Sequence, residues 1–346
     1  MGEYLIFRPE KMEGLPSHLQ AQVKELVCGL EGPRDVESIT SASTFAAMGV
    51  CPDYDMKKLV KRMSIDMRQK GEERVLFDLK GVDVAMANAL RRVMIAEVPT
   101  MAIETVHLYQ NTGVLQDEVL CHRLGLVPFK VEPETYKYRT ENEELTAENS
   151  LCFKLHIVCT PENLDQEKKC LPVYSRDFVW VPLSEQQKEQ YPEPPRPVSE
   201  DYLITKLRPG QEIEAVCYLE KGIGKTHAKW SPVCPAVYRL HPKIIFPQGV
   251  LRGPEAEDLV NLCPMNVFDI ENGEAIVAKP TQCTTCRACI ERFPTQVEVR
   301  KIKDHFIFQV EATGSIPAPD VFKRSLSVLI QKLQKIKNNI EKDIQA

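Results

Sequence analysis

The segment from Gly81 to Lys130 constrains the fold of this chain more than any other stretch of its sequence. It opens with a predicted helix, for which Asp83 is the expected N-cap and Pro99 the stop signal. Apolar residues recur at helical spacing on one face of this helix, at Met86, Leu90, Val93 and Met94. The alanines between them keep the helix slim, so the pattern indicates a helix that another helix can approach closely.

Two adjacent arginines, Arg91 and Arg92, lie near the C-terminal end of this predicted helix. Positive charge is favourable there because it complements the helix dipole. Taken by themselves, the residues favour an amphipathic core helix that carries two solvated arginines. The segment contains no candidate nucleophile and no acid/base pair, so it gives no indication of catalysis.

Two runs of this segment give a more specific indication of its family: NALRRVMIAEVPTMAIETV and HRLGLVPF. These runs closely resemble the α-type assembly subunits of multisubunit RNA polymerases. In that family the helix packs against its counterpart in a second α-like chain, and the arginines face the large catalytic subunits. The resemblance therefore implies interface roles for Asn88, Leu90, Arg91 and Arg92, and a catalytic role for none of them.

Composition limits the classes of function that are open to the chain. Its 346 residues suggest two to three domains, and a hydrophobic content of 43% is sufficient for a sizeable core. A net charge of −5 argues against a nucleic-acid clamp, because phosphate binding relies on clustered Lys and Arg. The N-terminus has no signal-peptide core, and no apolar run approaches transmembrane length. We therefore expect a soluble intracellular protein with no direct contact to nucleic acid or membrane.

The run GIGKT could be mistaken for a phosphate-binding loop. Gly224, Lys225 and Thr226 match only the second half of that motif, and Leu219 occupies the position of its first glycine. The sequence instead predicts a hairpin turn, with Lys225 and His227 on the surface.

A long amphipathic helix is predicted from about Asp320 to the C-terminus. Its apolar residues are three or four positions apart, at Phe322, Leu326, Leu329, Leu333, Ile336 and Ile340. This stripe is wider than a chain terminus needs for its own packing, which indicates a partner helix. The resemblance agrees, because α-like subunits use their C-terminal helix in the dimerisation layer.

Four of the twelve cysteines follow a ligand pattern. Cys283, Cys286 and Cys289 are spaced so that three thiols can hold three corners of an iron–sulfur cube. In the bacterial-ferredoxin run a fourth Cys-Pro follows, but here Phe293 stands in the place of that cysteine. Cys263, which precedes Pro264, is suited to complete the set. The other eight are expected to be core or near-surface thiols: Cys28, Cys51, Cys121, Cys152, Cys159, Cys170, Cys217 and Cys234.

Only one cluster, of 4Fe-4S or 3Fe-4S type, can be built from these ligands, and a structural role is favoured over electron transfer. Two alternatives stay open: a zinc ion held by four thiolates, and a site that has lost its metal. The block resembles the ferredoxin-like insertion of archaeal and some eukaryotic α-like subunits.

The predicted class is α+β with a split dimerisation domain. We expect an N-terminal extension at 1–59, a dimerisation domain at 60–108, 232–246 and 295–346, a β-rich insert at 109–231 and a ferredoxin-like insertion at 247–294. From residue 60 onward the chain resembles the larger α-like subunits shared by eukaryotic RNA polymerases I and III. The archaeal form of the subunit is a weaker match, because the long N-terminal extension and expanded loops favour a eukaryotic one.

That resemblance implies a noncatalytic assembly subunit with a smaller α-like partner. The pair would form the platform for the two largest polymerase subunits, in the nucleus and the nucleolus. The alternative hypothesis is a redox protein with a single-cluster ferredoxin-like domain.

Overall fold

The computed structural model of the chain describes residues 22–36, 56–140, 142–163 and 169–345. Most of the predicted N-terminal extension, together with Cys51, lies outside the described residues. The described part mixes helices with antiparallel sheets, so the predicted α+β class is confirmed.

The strands and helices alternate irregularly along the chain. The strands are β1 Glu25–Cys28, β2 Pro33–Arg34, β3 Ser64–Lys70, β4 Arg74–Lys80, β5 Pro99–Asn111, β6 Phe129–Lys130, β7 Ser150–Val158, β8 Leu171–Tyr174, β9 Val179–Val181, β10 Arg196–Pro197, β11 Leu203–Leu207, β12 Glu212–Ile223, β13 Val233–Ile245, β14 Phe268–Glu271, β15 Glu274–Val277 and β16 Glu298–Ala312. The helices are α1 Met56–Arg62, α2 Val84–Ala96, α3 Asp117–Gly125, α4 Glu185–Gln190, α5 Pro254–Leu262, α6 Ala288–Arg292 and α7 Ala318–Gln345.

The chain divides into two compact units, each built from separated segments. The first contains Met1–Arg68, Leu76–Asn88 and Tyr238–Phe308, and the second contains Gln69–Val75, Ala89–Val237 and Gln309–Ala346. The predicted ferredoxin-like insertion falls within the first unit and the β-rich insert within the second. The individual domain boundaries read from the sequence stay predictions.

The largest sheet has the strand order β2-β1-β16-β4-β3, and β13 also pairs with β16. β1 runs antiparallel to β16, with Cys28 opposite Val299. In the first unit one face of this sheet is aromatic: the rings of Phe77 and Phe308 stack with centroids 5.0 Å apart, and Tyr238 packs against Phe308. The alternation of apolar and polar residues along the strands therefore separates an apolar face from a polar one.

The opposite face carries a buried ionic cluster around Asp78. The guanidinium of Arg68 donates to this carboxylate at 2.5 Å, and Nε2 of His305 lies 3.0 Å from the same oxygen. Burial raises the pKa of Asp78, but the hydrogen bonds from Arg68 and His305 outweigh it and hold the pKa below its ordinary value.

Helix α2 begins and ends where the sequence predicts. The Asp83 carboxylate accepts a hydrogen bond from the Ala85 amide at 3.0 Å, and the helix ends at Ala96, before β5 begins at Pro99. Met86, which was expected on the apolar face with Leu90, is 41% exposed. It lies in the first turn at the edge of the buried face, where Ala87 is buried instead.

The second unit is built on the antiparallel sheet β5-β12-β7-β9. Its core contains Leu120 and Leu124 of α3 together with the sheet residues Leu151, Phe153 and Leu219. The residue pattern at 152–159 is typical of a strand, and residues 152–158 belong to β7.

The residue pattern at 176–181 also predicts a strand, and this prediction is only half right. The segment predicted as extended at 176–181 begins instead with a 3₁₀ turn, Ser175–Asp177, before β9. The turn forms because the Asp177 carboxylate accepts a hydrogen bond from the Tyr174 amide at 2.7 Å.

The GIGKT run forms a turn, and both Lys225 and His227 are exposed, as predicted. The hairpin prediction is wrong, because β12 and β13 join different sheets. A Cβ on Gly222 would come within 2.3 Å of the Trp230 ring, and one on Gly224 within 2.3 Å of the Ile95 carbonyl oxygen. The glycines therefore permit close packing rather than phosphate binding.

Among the helices of the described residues, none combines the length and the apolar character that crossing a bilayer requires.

Candidate subunit interface and cysteine centre

The predicted interface residues of α2 differ in how much of each side chain is accessible. Arg92 is exposed, whereas Asn88 and Arg91 are partly buried and make contacts within the chain. Leu90 is only 7% exposed and belongs to the core. Arg92 is therefore the member of this set best placed to meet a partner, and the interface role of all four residues stays a prediction.

The fully buried contacts of helix α7 with the second unit lie in its first turns. Ala318, Val321 and Ser325 are fully buried. The Ala318 amide donates to the Glu72 carbonyl at 2.7 Å. These contacts fix the position at which the helix leaves the unit.

Beyond those turns an apolar stripe on α7 is uncovered. Phe322 and Leu329 are partly buried, and every residue from Ile330 to Asp343 is exposed. The large apolar side chains that stay accessible are Leu326 at 39%, Ile330 at 55%, Leu333 at 65%, Ile336 at 55% and Ile340 at 53%. A stripe of this spacing is typical of a helix that pairs with another apolar surface. The predicted amphipathic helix is thus confirmed, with its apolar face open along most of its length.

Two ion pairs hold α7 in a fixed direction. Lys332 pairs with Glu97, which directly follows α2, and Arg324 pairs with Glu132 at 2.6 Å. The stripe side chains Leu333, Ile336 and Ile340 stay exposed beside these pairs.

The four cysteines with ligand spacing line one small cavity in the first unit. Cys263 directly follows helix α5, Cys283 and Cys286 lie on the loop between β15 and α6, and Cys289 belongs to the short helix α6. All four thiols border a cavity of about 20 Å³, together with apolar side chains such as Ile244 and Val267. The structure therefore brings Cys263 to the other three cysteines, as the sequence predicts.

The backbone of the cysteine loop is curled tightly around this cavity. Thr285 and Arg287 have φ values of 62° and 71°, in the left-handed region that favours glycine. Arg287 fastens the loop by donating to the Leu30 carbonyl at 2.9 Å. Strained non-glycine residues of this kind are concentrated at ligand-binding loops.

Amide groups and burial shape the chemistry of the thiols. The Val267 amide lies 3.5 Å from the Cys263 sulfur, which is the kind of contact that supports metal-bound thiolates. Burial, followed by the neighbouring thiols of Cys283 and Cys286, raises the pKa of Cys289 to about 11. Burial likewise raises the pKa of Cys283. A bound cation would be needed to keep these sulfurs as thiolates at neutral pH.

The donor set can be tested against the two metal alternatives. Within the described residues, no group of three or more His, Cys, Asp and Glu side chains is arranged to hold a single metal ion. Four cysteines around one cavity match the number of thiolates that a cluster binds at its corners. A cavity of about 20 Å³ accommodates about one water, so the loop must open to admit a cluster.

A fifth thiol, which the sequence pattern could not connect to this site, lies behind the cavity. Cys28 is 7% exposed and forms a small core with Ile290 and Val299, against which Cys283 and Cys289 pack. It is a core thiol, as predicted. Cys28 lies close to the four cysteines because β1 pairs with β16, and the spacing of the cysteines in the sequence does not predict this.

Comparison with known proteins identifies the family. Residues 76–333 match the RNA polymerase Rpb3/Rpb11 dimerisation domain. A protein of Dictyostelium discoideum named DNA-directed RNA polymerases I and III subunit rpac1 is 38% identical over 307 residues, which is 87% of this chain and 88% of the relative. The human protein named DNA-directed RNA polymerases I and III subunit RPAC1 is 36% identical, over 91% of this chain and 95% of the relative. The Dictyostelium RNA polymerase II subunit rpb3 is 31% identical, over 82% and 97%.

An α+β chain with an open helical stripe and a match to a dimerisation domain is an α-like polymerase subunit. The chain belongs to the RNA polymerase Rpb3/Rpb11 dimerisation-domain family, and within it to the larger α-like subunits shared by RNA polymerases I and III.

Proposed function

We propose that this chain is a noncatalytic assembly subunit of RNA polymerases I and III, and that it serves the transcription of rRNA, 5S rRNA and tRNA. The observation that carries the proposal is the open apolar stripe of α7, from Leu326 to Ile340. An apolar surface of this length is costly to leave in water, and it is typical of a protein–protein interface.

The expected partner is the smaller α-like subunit. Helices of the smaller subunit would cover the α7 stripe. The exposed side chains of α2 would make further contacts with it. Interfaces of permanent complexes are apolar in their centre and resemble a divided protein core. The aliphatic side chains at Leu333 and Ile336 match that composition.

The two largest polymerase subunits are expected to assemble on this heterodimer. Arg92, with the partly buried Arg91 beside it, is the cationic element proposed to meet them. Arginine is frequent among the residues that dominate interface energies, because its planar guanidinium can pair with a carboxylate through two hydrogen bonds. The catalytic groups would then belong wholly to the large subunits.

Cys263, Cys283, Cys286 and Cys289 are proposed to hold one iron–sulfur cluster that stabilises the 247–294 insertion. Bound there, the cluster would supply cross-linking of the loop to α5 and α6. The chain's own contribution is to orient the thiols and to surround them with apolar side chains such as Ile290. The centre is proposed to be structural, and metal analysis distinguishes the cluster from the zinc ion and the empty site that the sequence leaves open.

The location that fits this function is the nucleus, with a share in the nucleolus where RNA polymerase I works. The proposal includes no direct contact with nucleic acid and none with a membrane. The redox alternative gains no support, since the family match spans residues 76–333, with parts of both units, and the relatives are named as polymerase subunits.

Size-exclusion chromatography with light scattering tests the proposal. The full chain alone is expected to self-associate or precipitate, whereas the chain co-expressed with its smaller α-like subunit should elute as a one-to-one heterodimer. A well-behaved monomer with no affinity for that subunit would contradict the proposal.

A further inference from the structure

A cationic groove lies in the second unit, away from both α2 and α7. It has a volume of about 1070 Å³ and is lined by side chains of α3, β11, the segment before β8 and the turn after β11. Four of the lining residues are cations: Arg123, Lys169, Lys206 and Arg208. Among the residues that the structure describes, the groove lining contains no Asp and no Glu.

Arg123 is held in a fixed orientation at the wall of this groove. Its Nε donates to the Ile204 carbonyl at 2.7 Å, and its Nη2 donates to the Leu203 carbonyl at 2.7 Å. A guanidinium has five N–H donors, so further donors stay available after these two bonds. Because the side chain is already ordered, it loses little conformational entropy when it meets an anion.

The other three cations are exposed. In the part of the chain that the structure describes, Lys169, Lys206 and Arg208 form no ion pair. Lys169 has a φ of 51°, a left-handed conformation that is uncommon for lysine. An anionic partner would reduce the repulsion between like charges that line one groove.

Apolar side chains lie among the four cations. Val114 is 79% exposed and Leu203 is 39% exposed, and Leu115 and Pro209 also line the groove. No aromatic side chain occurs among the described lining residues, so they do not form the stacking platform that single-stranded nucleic acid uses. Mixed cationic and aliphatic surface instead suits a peptide that carries both acidic and apolar side chains.

We propose that this groove binds an extended acidic segment of a partner polypeptide. The carboxylates of the segment pair with the four cations, and its aliphatic or aromatic side chains lie on Val114 and Leu203. This docking surface is separate from the assembly surfaces proposed above, because it uses neither α2 nor α7.

Fluorescence anisotropy on the full chain, purified with its smaller subunit, tests the proposal. The probe is a labelled peptide made of two repeats of Glu-Leu-Asp-Glu-Phe-Asp. The double variant Lys206→Glu with Arg208→Glu should weaken binding by about tenfold or more, and the neutral pair Lys206→Gln with Arg208→Gln should weaken it less. The matched control, Lys130→Glu with Lys188→Glu, reverses two exposed cations of the same unit outside the groove and should bind within about twofold of the parent.

Salt and two further probes complete the experiment. Raising the KCl concentration from about 0.05 M to about 0.3 M should weaken peptide binding, because exposed charges are screened at that ionic strength. A peptide with Gln and Asn in place of the acidic residues should not bind. The proposal is overturned if the groove and control variants weaken binding equally, or if a single-stranded RNA oligonucleotide binds the groove more tightly than the acidic peptide.

Discussion

Truncating the apolar stripe of α7 should weaken the heterodimer without unfolding the chain. The perturbation is the double substitution Leu333→Ala with Ile336→Ala. Both side chains belong to the stripe, and they are 65% and 55% exposed. Because each is more than half exposed, its removal should change the free energy of unfolding by no more than about 0.5 kcal/mol. Alanine also has the highest helix propensity, so the helix itself should persist.

The expected loss of affinity follows from the area that a partner would bury. Complete burial of a Leu or Ile side chain contributes about 1.5–3 kcal/mol. Because only the exposed part of each side chain remains to be buried, Leu333 and Ile336 should each contribute about 1–2 kcal/mol to association. The double variant should therefore lose about 2–4 kcal/mol of association free energy, which is a dissociation constant about 30-fold to about 700-fold higher.

The assay is a binding titration of the labelled smaller subunit, with urea unfolding of the same preparations as the folding control. The matched control is Gln331→Ala with Lys335→Ala, because these exposed residues lie on the opposite face of α7 at the helical period. This control should bind like the parent. The account of α7 is refuted if the stripe variant keeps the parent affinity, or if both double variants weaken binding equally.

The remaining predictions concern the arginines, the buried ionic cluster and the cysteine centre. Replacing Arg91 and Arg92 with alanine should reduce recovery of the large subunits in co-purification more than recovery of the smaller subunit, and normal recovery of the whole enzyme would count against their assignment. Because the pKa of Asp78 is held below its ordinary value, the ionised carboxylate contributes its full stabilisation above about pH 4 and loses it as the pH falls through the folded-state pKa. Urea unfolding from about pH 7 to about pH 3 should therefore show a decrease in the free energy of unfolding that depends on Asp78. The variant Asp78→Asn should be less stable by about 1.5–3 kcal/mol and should no longer show that decrease. Anaerobically purified protein should contain iron and sulfide with broad visible absorption, which Cys263→Ser should reduce nearly as much as Cys286→Ser; zinc, or no metal, in protein never exposed to air would refute the cluster.

The helices α2 and α7 can be predicted from the sequence because interactions between residues a few positions apart determine them. Asp83 and Pro99 delimit α2, because capping and the loss of an amide donor act within a few residues. The apolar spacing of α7 predicts both the helix and its open face, because the period of the helix alone places those side chains together.

The sequence could not predict features that depend on contacts between distant segments. The hairpin expected after β12 fails because the next strand pairs in another sheet. Cys28 approaches Cys283 only through the pairing of β1 with β16. The groove cations Lys169 and Lys206 likewise come together only in the folded second unit. Each of these features requires strand order, which a single sequence does not encode in any short pattern.

The most direct test of the account is mass spectrometry of the complexes that co-purify with the full chain, tagged at its own locus and isolated under native conditions. The account predicts the smaller α-like subunit in equimolar amount, together with the two largest subunits of both RNA polymerase I and RNA polymerase III. Recovery with the subunits of one polymerase alone would restrict the proposal to that enzyme. Recovery without any polymerase subunit, or with electron-transfer proteins instead, would contradict it.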